Sequence, residues 1–133
     1  MTDTLGKIVY DRVTGHAGTA ALIGTRCTRS QLPQVTACPC VVYHAPVSAS
    51  DEIYRDHDGA TRVVDRVQLD CWGKDGDEAE SVATQIVAAF NGWTGHVDVG
   101  YSLFVNRVEF GFDPAVRAFR HVVDVLIDHK RAA

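Results

Sequence analysis

The stretch Thr61–Gly92, TRVVDRVQLDCWGKDGDEAESVATQIVAAFNG, passes from strand-like alternation to helical spacing within a few residues, and this change decides the fold. From Val63 the odd positions read Val63, Asp65, Val67, Leu69 and Cys71, and the even positions Val64, Arg66, Gln68, Asp70 and Trp72. Successive side chains of a strand point to opposite faces, so Val67, Leu69 and Cys71 are expected in a core, with Arg66, Gln68 and Asp70 facing water or a partner. Gly73–Gly76 then breaks the strand. Asp75 or Asp77 can cap a helix, and Asp77, Glu78 and Glu80 put negative charge in its first turn, where the helix dipole favours it. Val82, Ala83, Ile86, Val87, Ala89 and Phe90 recur at spacings of three and four and form one apolar stripe. Asn91 and Gly92 suit the C-terminal cap because both tolerate positive φ.

Outward from this segment the elements are shorter. Leu5, Ile8, Val9, Arg12 and Val13 follow helical spacing after Thr2 and Asp3 as caps, and Gly15 and Gly18 end that helix. Thr19–Gly24 reads as one helical turn, and Arg26–Ala37 as loop or irregular edge. Val41–Ser48 reads as a strand, with Pro39 at its start and Pro46 marking an edge or a bulge. Ser48–Ala60 is a polar connection of the length that loops reach when they carry function, and is a candidate projecting arm. Trp93–Val99 reads as a loop. Tyr101–Phe112 alternates, with Phe104, Val108, Phe110 and Phe112 expected on one face around Asn106. Asp113-Pro114 signals a turn. Val116–His129 is the last strand, with Phe119, Val123, Val125 and Ile127 inward and Arg120, Asp124 and Asp128 outward. The expectation is one α+β domain over residues 1–133, an antiparallel or mixed sheet of about four strands with two main helices packed on one face.

Composition narrows the function classes. At 133 residues the chain can bury roughly two-thirds of its unfolded surface. Its net charge of −4 gives no support to a phosphate-binding surface, which needs clustered Lys and Arg. No run approaches the ~18 apolar residues of a membrane helix, and MTDTLGKIVYDRV lacks the parts of a signal peptide, so use in a cytoplasm or in something assembled there is expected.

Cys27, Cys38, Cys40 and Cys71 are expected as reduced, buried thiols. Cys38-Pro39-Cys40 is not zinc-knuckle spacing, although Cys71 could approach Cys40 beside His44 if their strands pair. His57 between Asp56 and Asp58 resembles an acid and base pair, but on a loop solvated charge is the more common explanation. His121 and His129 fall on the apolar face of the last strand as core or edge histidines. Gly15, Gly18 and Gly24 form no phosphate loop, and Ser48, Ser50 and Ser81 lie in no nucleophile motif. Trp72 and Trp93 flank the central helix, and Trp72 could anchor an interface.

Several segments together resemble the tail-completion or tail-terminator family of long-tailed bacteriophages. They are Pro39-Cys40-Val41-Val42-Tyr43, then Gly59 before Arg66-Val67-Gln68-Leu69-Asp70-Cys71-Trp72, then the helix with Ala79 and Ala83, Gly92, an aromatic strand, and Asp124-Val125-Leu126-Ile127. Cys27, Cys38 and the histidines do not belong to the pattern. The resemblance implies a structural protein of the virion, without cofactor, metal or catalytic residue, that closes into a ring, typically a hexamer, on the head-proximal end of the tail tube. There it would end tube polymerisation and meet the major tail tube protein and the head-tail connector proteins. Six copies would carry about −24 in total, so DNA could pass the channel without specific binding. A head-to-tail ring uses two different surfaces of each subunit. The expected contacts are the arm Glu52, Ile53, Tyr54, Arg55, Asp56 and His57 with the outward Arg66, Gln68, Asp70 and Trp72. The alternatives are a head-side connector or minor tail protein of the same particle and, from another class, a small hydrolase or metal-binding domain using His57.

Overall fold

In a computed structural model describing residues 3–32, 37–48, 53–55 and 61–130, two helices open the chain, α1 (Leu5–Gly15) and α2 (Ala17–Ile23). They are followed by β1 (Cys27–Arg29), β2 (Cys40–Ser48), β3 (Ile53–Arg55), β4 (Thr61–Gly73), α3 (Gly76–Phe90), β5 (Val99–Asp113) and β6 (Ala118–Lys130). The alternating stretch is β4, the middle of the sheet order β1-β2-β4-β6-β5, with β3 added on β4 beyond the end of β2. β1 and β2 are parallel and the other pairs antiparallel, so the sheet is mixed. It holds two more strands than expected. β1 lies in the span read as loop or edge and β3 in the polar connection, and three residues are too few to display a period of two.

Alternation on β4 holds where it was anticipated. Val67, Leu69 and Cys71 are fully buried on the face that α1, α2 and α3 cover, together with Val41, Val123, Val125 and Ile127. The helices contribute Ile8, Val9, Val13, Ile23, Val82, Ile86 and Phe90, also fully buried. Each side chain of this size contributes about 1.5–3 kcal/mol by leaving water. The helix-side face ends in a polar pair, with His129 Nε2 2.8 Å from Asp65 Oδ2 and both residues buried. His129 is thus a satisfied histidine, whereas the Nδ1 of the buried His121 has no hydrogen-bond partner among the described residues.

Local signals explain the helix ends. Asp75 caps α3 by accepting from Glu78 N at 2.8 Å, while Glu78 Oε1 accepts from Lys74 N at 3.0 Å. At the junction Gly73 passes so close to the start of α3 that an added Cβ would overlap its backbone, lying 2.9 Å from Glu78 C and against Ala79 N. Asn91 closes the helix and Gly92 follows at φ +76°. α1 starts one residue later than anticipated, with Thr4 as its cap accepting from Lys7 N at 3.3 Å. α2 is capped by an imidazole, since His16 Nδ1 lies 3.3 Å from Thr19 N and 3.0 Å from Thr19 Oγ1.

The hairpin of β5 and β6 departs most from its expectation. β5 slips register against β6 between Val99 and Tyr101, between Phe104 and Asn106, and between Glu109 and Gly111. Each extra residue inverts the alternation that follows. Opposed residues share a face. Phe104 and Phe112, opposite Val125 and Phe119, therefore lie on the helix side, while Leu103 and Val108, opposite Leu126 and Val122, lie on the other. The single face expected for Phe104, Val108, Phe110 and Phe112 is split in two.

Candidate functional site

The side of the sheet away from the helices carries the outward positions of β4, and its chemistry follows from register. Arg66 lies opposite Leu126, Gln68 opposite Asp124, Asp70 opposite Val122 and Trp72 opposite Arg120. Arg66 is exposed and its Nη2 donates to Asp124 Oδ2 at 3.1 Å. Gln68 is half-buried and its Nε2 donates to Asp70 Oδ1 at 2.9 Å. His44 Nε2 and Arg120 Nη1 reach Asp70 Oδ2 at 3.3 and 3.7 Å. One carboxylate thus gathers three neighbours from β2, β4 and β6.

Asp70 and Trp72 are not the open positions that alternation alone suggests. Both are buried, at 6% and 5% exposure. Trp72 packs with Cys40, Val42 and Ala118 in a second small core, against which Leu32 and Cys38 from the segment before β2 are laid. Arg120 lies between two rings, 5.3 Å from the Trp72 centroid and 4.6 Å from that of Phe110. Asp128, expected outward, is likewise buried, with Arg62 Nε donating to its Oδ1 at 2.9 Å. Gly100 belongs to that pair: a Cβ there would lie 3.0 Å from Asp128 Oδ1. Of these outward positions on β4, water therefore reaches Arg66 and part of Gln68.

Of the expected arm, Ile53, Tyr54 and Arg55 form β3, opposite Val63, Arg62 and Thr61. The middle of the arm is thus a strand that widens the sheet. Glu52, Asp56 and His57 lie outside the described residues.

Cys40 and Cys71 do not converge. β2 and β4 do pair, but Cys40 stands opposite Trp72 and Cys71 opposite Val41, so the two thiols project from opposite faces of the sheet. Burial pushes the Cys27 and Cys40 thiols up to about 12, and raises Cys71 as well, which leaves them poor nucleophiles. A His and carboxylate group does occur at Asp3, His96 and Asp98, where the candidate ligand atoms lie within 4.8 Å of one another. His96 Nδ1 accepts from Asp98 N at 2.9 Å, its Nε2 is 3.0 Å from Asp3 Oδ2, and Asp3 N donates to Asp98 Oδ2 at 3.1 Å. Hydrogen bonds occupy both ring nitrogens, and the group ties the start of the chain to the loop before β5.

The residues that pattern reading misses as a surface lie on β5. Leu103, Val105, Val108, Phe110 and Phe112 are 39–57% exposed. A signal for them exists in the sequence: LFVNRVEFGF is apolar on both faces, as strands covered on both sides are, yet β5 has only β6 as a strand partner among the described residues.

The model of the family described as tail completion protein gp17 matches residues 7–128. Among solved structures, a chain of the virion of a native gene transfer agent particle superposes with a TM-score of 0.70 at 15% identity, covering 92% of each chain, which shows a shared fold. No curated protein matches. Among the described residues no helix is long and apolar enough to cross a membrane.

Proposed function

Because the chain belongs to the tail completion protein gp17 family, we propose that it is a structural part of a phage virion that closes the head-proximal end of the tail. The observation that carries this reading is the span of the match, which takes in both the helix layer and every strand of the central sheet. In this role copies assemble as a ring, six being the number the resemblance suggests. The ring ends tube growth and offers one surface to the major tail tube protein and another to the head connector. Its work is contact and not turnover. The aggregate negative charge repels the DNA backbone, so that DNA traverses the channel without being held.

For the contacts we assign the arm around β3, Glu52 to His57, together with Arg66 and Gln68 on the open side of β4. Asp70 and Trp72 act one step back. They hold Arg120 and its neighbours in place instead of touching a partner. Virions assembled with a chain lacking residues 51–58 should fail at tail joining, and full joining would remove the arm from the reading. The ring itself is tested by the mass in solution: a multiple of 14.5 kDa is expected, and a monomer at every concentration would overturn it.

A further inference from the structure

β5 is the place where composition and setting disagree. Leu103, Phe104, Val105, Val108, Phe110 and Phe112 are each between 37% and 57% exposed, on a strand at the edge of the sheet. Their exposed surface sums to on the order of 600 Å² over the two faces of the strand, an unusual amount of apolar surface for one edge strand to leave wet. The first half of the outer edge is already closed within the chain. Gly92 N donates to Ser102 O at 2.7 Å, and Phe104 N donates to Asn91 Oδ1 at 3.2 Å. Beyond Phe104 the strand runs on to the turn at Pro114–Arg117, while Arg107 fastens it to α3 by donating to Thr84 Oγ1 and Glu80 O at 3.2 and 3.1 Å.

We propose that this outer part of β5 docks on a second copy of the chain, a contact that rests on the ring reading above and names its surface. Three observations favour a copy of the chain as the occupant. The wet apolar area approaches the ~800 Å² that one side of a standard stable interface hides, so the hairpin alone supplies most of a subunit contact. The apolar residues stand on both faces: Leu103, Val108 and Phe110 on the open side, Phe104 and Phe112 on the helix side. A ring stacked above or below meets one rim of the sheet, whereas a neighbour in the same plane meets the strand edge beyond Phe104 along its length and can wrap both faces. Strand direction supplies the third. β5 runs parallel to β4, while β1 and β3, at the opposite edge, run against it. Copies arranged around an axis along the strands bring β5 of one against the β1 and β3 edge of the next in antiparallel sense, a head-to-tail contact that closes by rotation.

Mass in solution tests it on the full chain, comparing wild type with Val108→Glu/Phe110→Glu and with Phe104→Glu/Phe112→Glu by light scattering over a wide range of concentration. The proposal expects both variants to stay monomeric, with wild-type circular dichroism, at concentrations roughly 100-fold above the wild-type midpoint of assembly. If the charged variants fail to fold, Val108→Thr/Phe110→Ser should still raise the midpoint at least tenfold. Wild type and folded variants of equal oligomeric mass would overturn the docking surface and leave the ring standing. A wild type that is monomeric throughout would overturn the ring, and the docking with it. Variants that assemble as wild type yet fail to cap tails would transfer the patch to another virion protein and overturn the second copy as its occupant.

Discussion

β4 and β5 are the two strands whose sequences and surroundings run opposite ways. β4, TRVVDRVQLDCWG, is studded with charge, yet nearly every residue in it is buried. β5, VGYSLFVNRVEFGFD, has one fewer charged side chain and three phenylalanines, yet most of it is exposed. Place in the sheet accounts for the inversion. β4 has strand neighbours on both sides, α3 on one face, and on the other ion pairs that join Arg62 to Asp128, Arg66 to Asp124 and Asp70 to His44 and Arg120. Among the described residues β5 has one strand neighbour, and the docking proposed above would finish its burial from outside the chain. A strand's composition therefore reports the surroundings it has when assembly is complete.

Truncation should separate the two strands most sharply. Leu69→Ala on β4 removes a fully buried side chain and should cost about 3 kcal/mol in urea unfolding, whereas Phe110→Ala on the dissociated chain should change stability by no more than about 0.5 kcal/mol. Equal costs would break the comparison. Next comes Gly73→Ala at the exit of β4, which forces α3 away from the strand and should cost about 2–3 kcal/mol in the same assay. Asp70→Ala, which leaves Arg120 and His44 without their carboxylate, is expected to cost about 1–2 kcal/mol, and a neutral result would mean that the open face of β4 is not knit as described.

The smallest effect lies on neither strand. Burial, and then Arg12, hold the His16 imidazole below the ordinary value of 6.5, and its neutral Nδ1 is what caps α2. Since the folded value is the lower one, the unfolded chain takes up the proton first. The cap's contribution is present above pH 6.5 and is lost as pH falls toward the folded value. The expected loss between pH 7.5 and 5 is at most about 1 kcal/mol, absent in His16→Asn, whose side chain caps without titrating. Thermal melts of the two proteins against pH would read the difference.

How much of this is legible in sequence depends on how far apart the deciding residues are. α3 is legible because Asp75, the acidic first turn, the stripe from Val82 to Phe90 and Gly92 all agree within one short segment. The core face of β4 is legible because Val67, Leu69 and Cys71 obey an unbroken period of two. The closure of its other face is not: Trp72 is covered by Leu32 and Cys38, and Asp70 is claimed by His44 and Arg120, all distant in the chain. The faces of β5 are hidden for a different reason. Alternation predicts a face only while register is kept, and β5 loses register three times, so Phe104 and Val108 part company. β1 and β3 are defined by what they pair with, and nothing inside three residues announces a strand.

The register slips on β5 have a further consequence, for the life of the chain before it meets a partner. Newly made copies carry wet phenylalanines beside an open strand edge, the arrangement from which cross-β aggregates grow. A growing fibril needs a flat, evenly spaced row of backbone groups to copy. The slips at Phe104/Asn106 and Glu109/Gly111 interrupt that row, and Gly111, at φ +74°, twists it further. The side chains stay available to a neighbour of the right shape while the backbone refuses a stranger. Straightening the strand by removing a bulge residue should therefore make the chain more prone to aggregate.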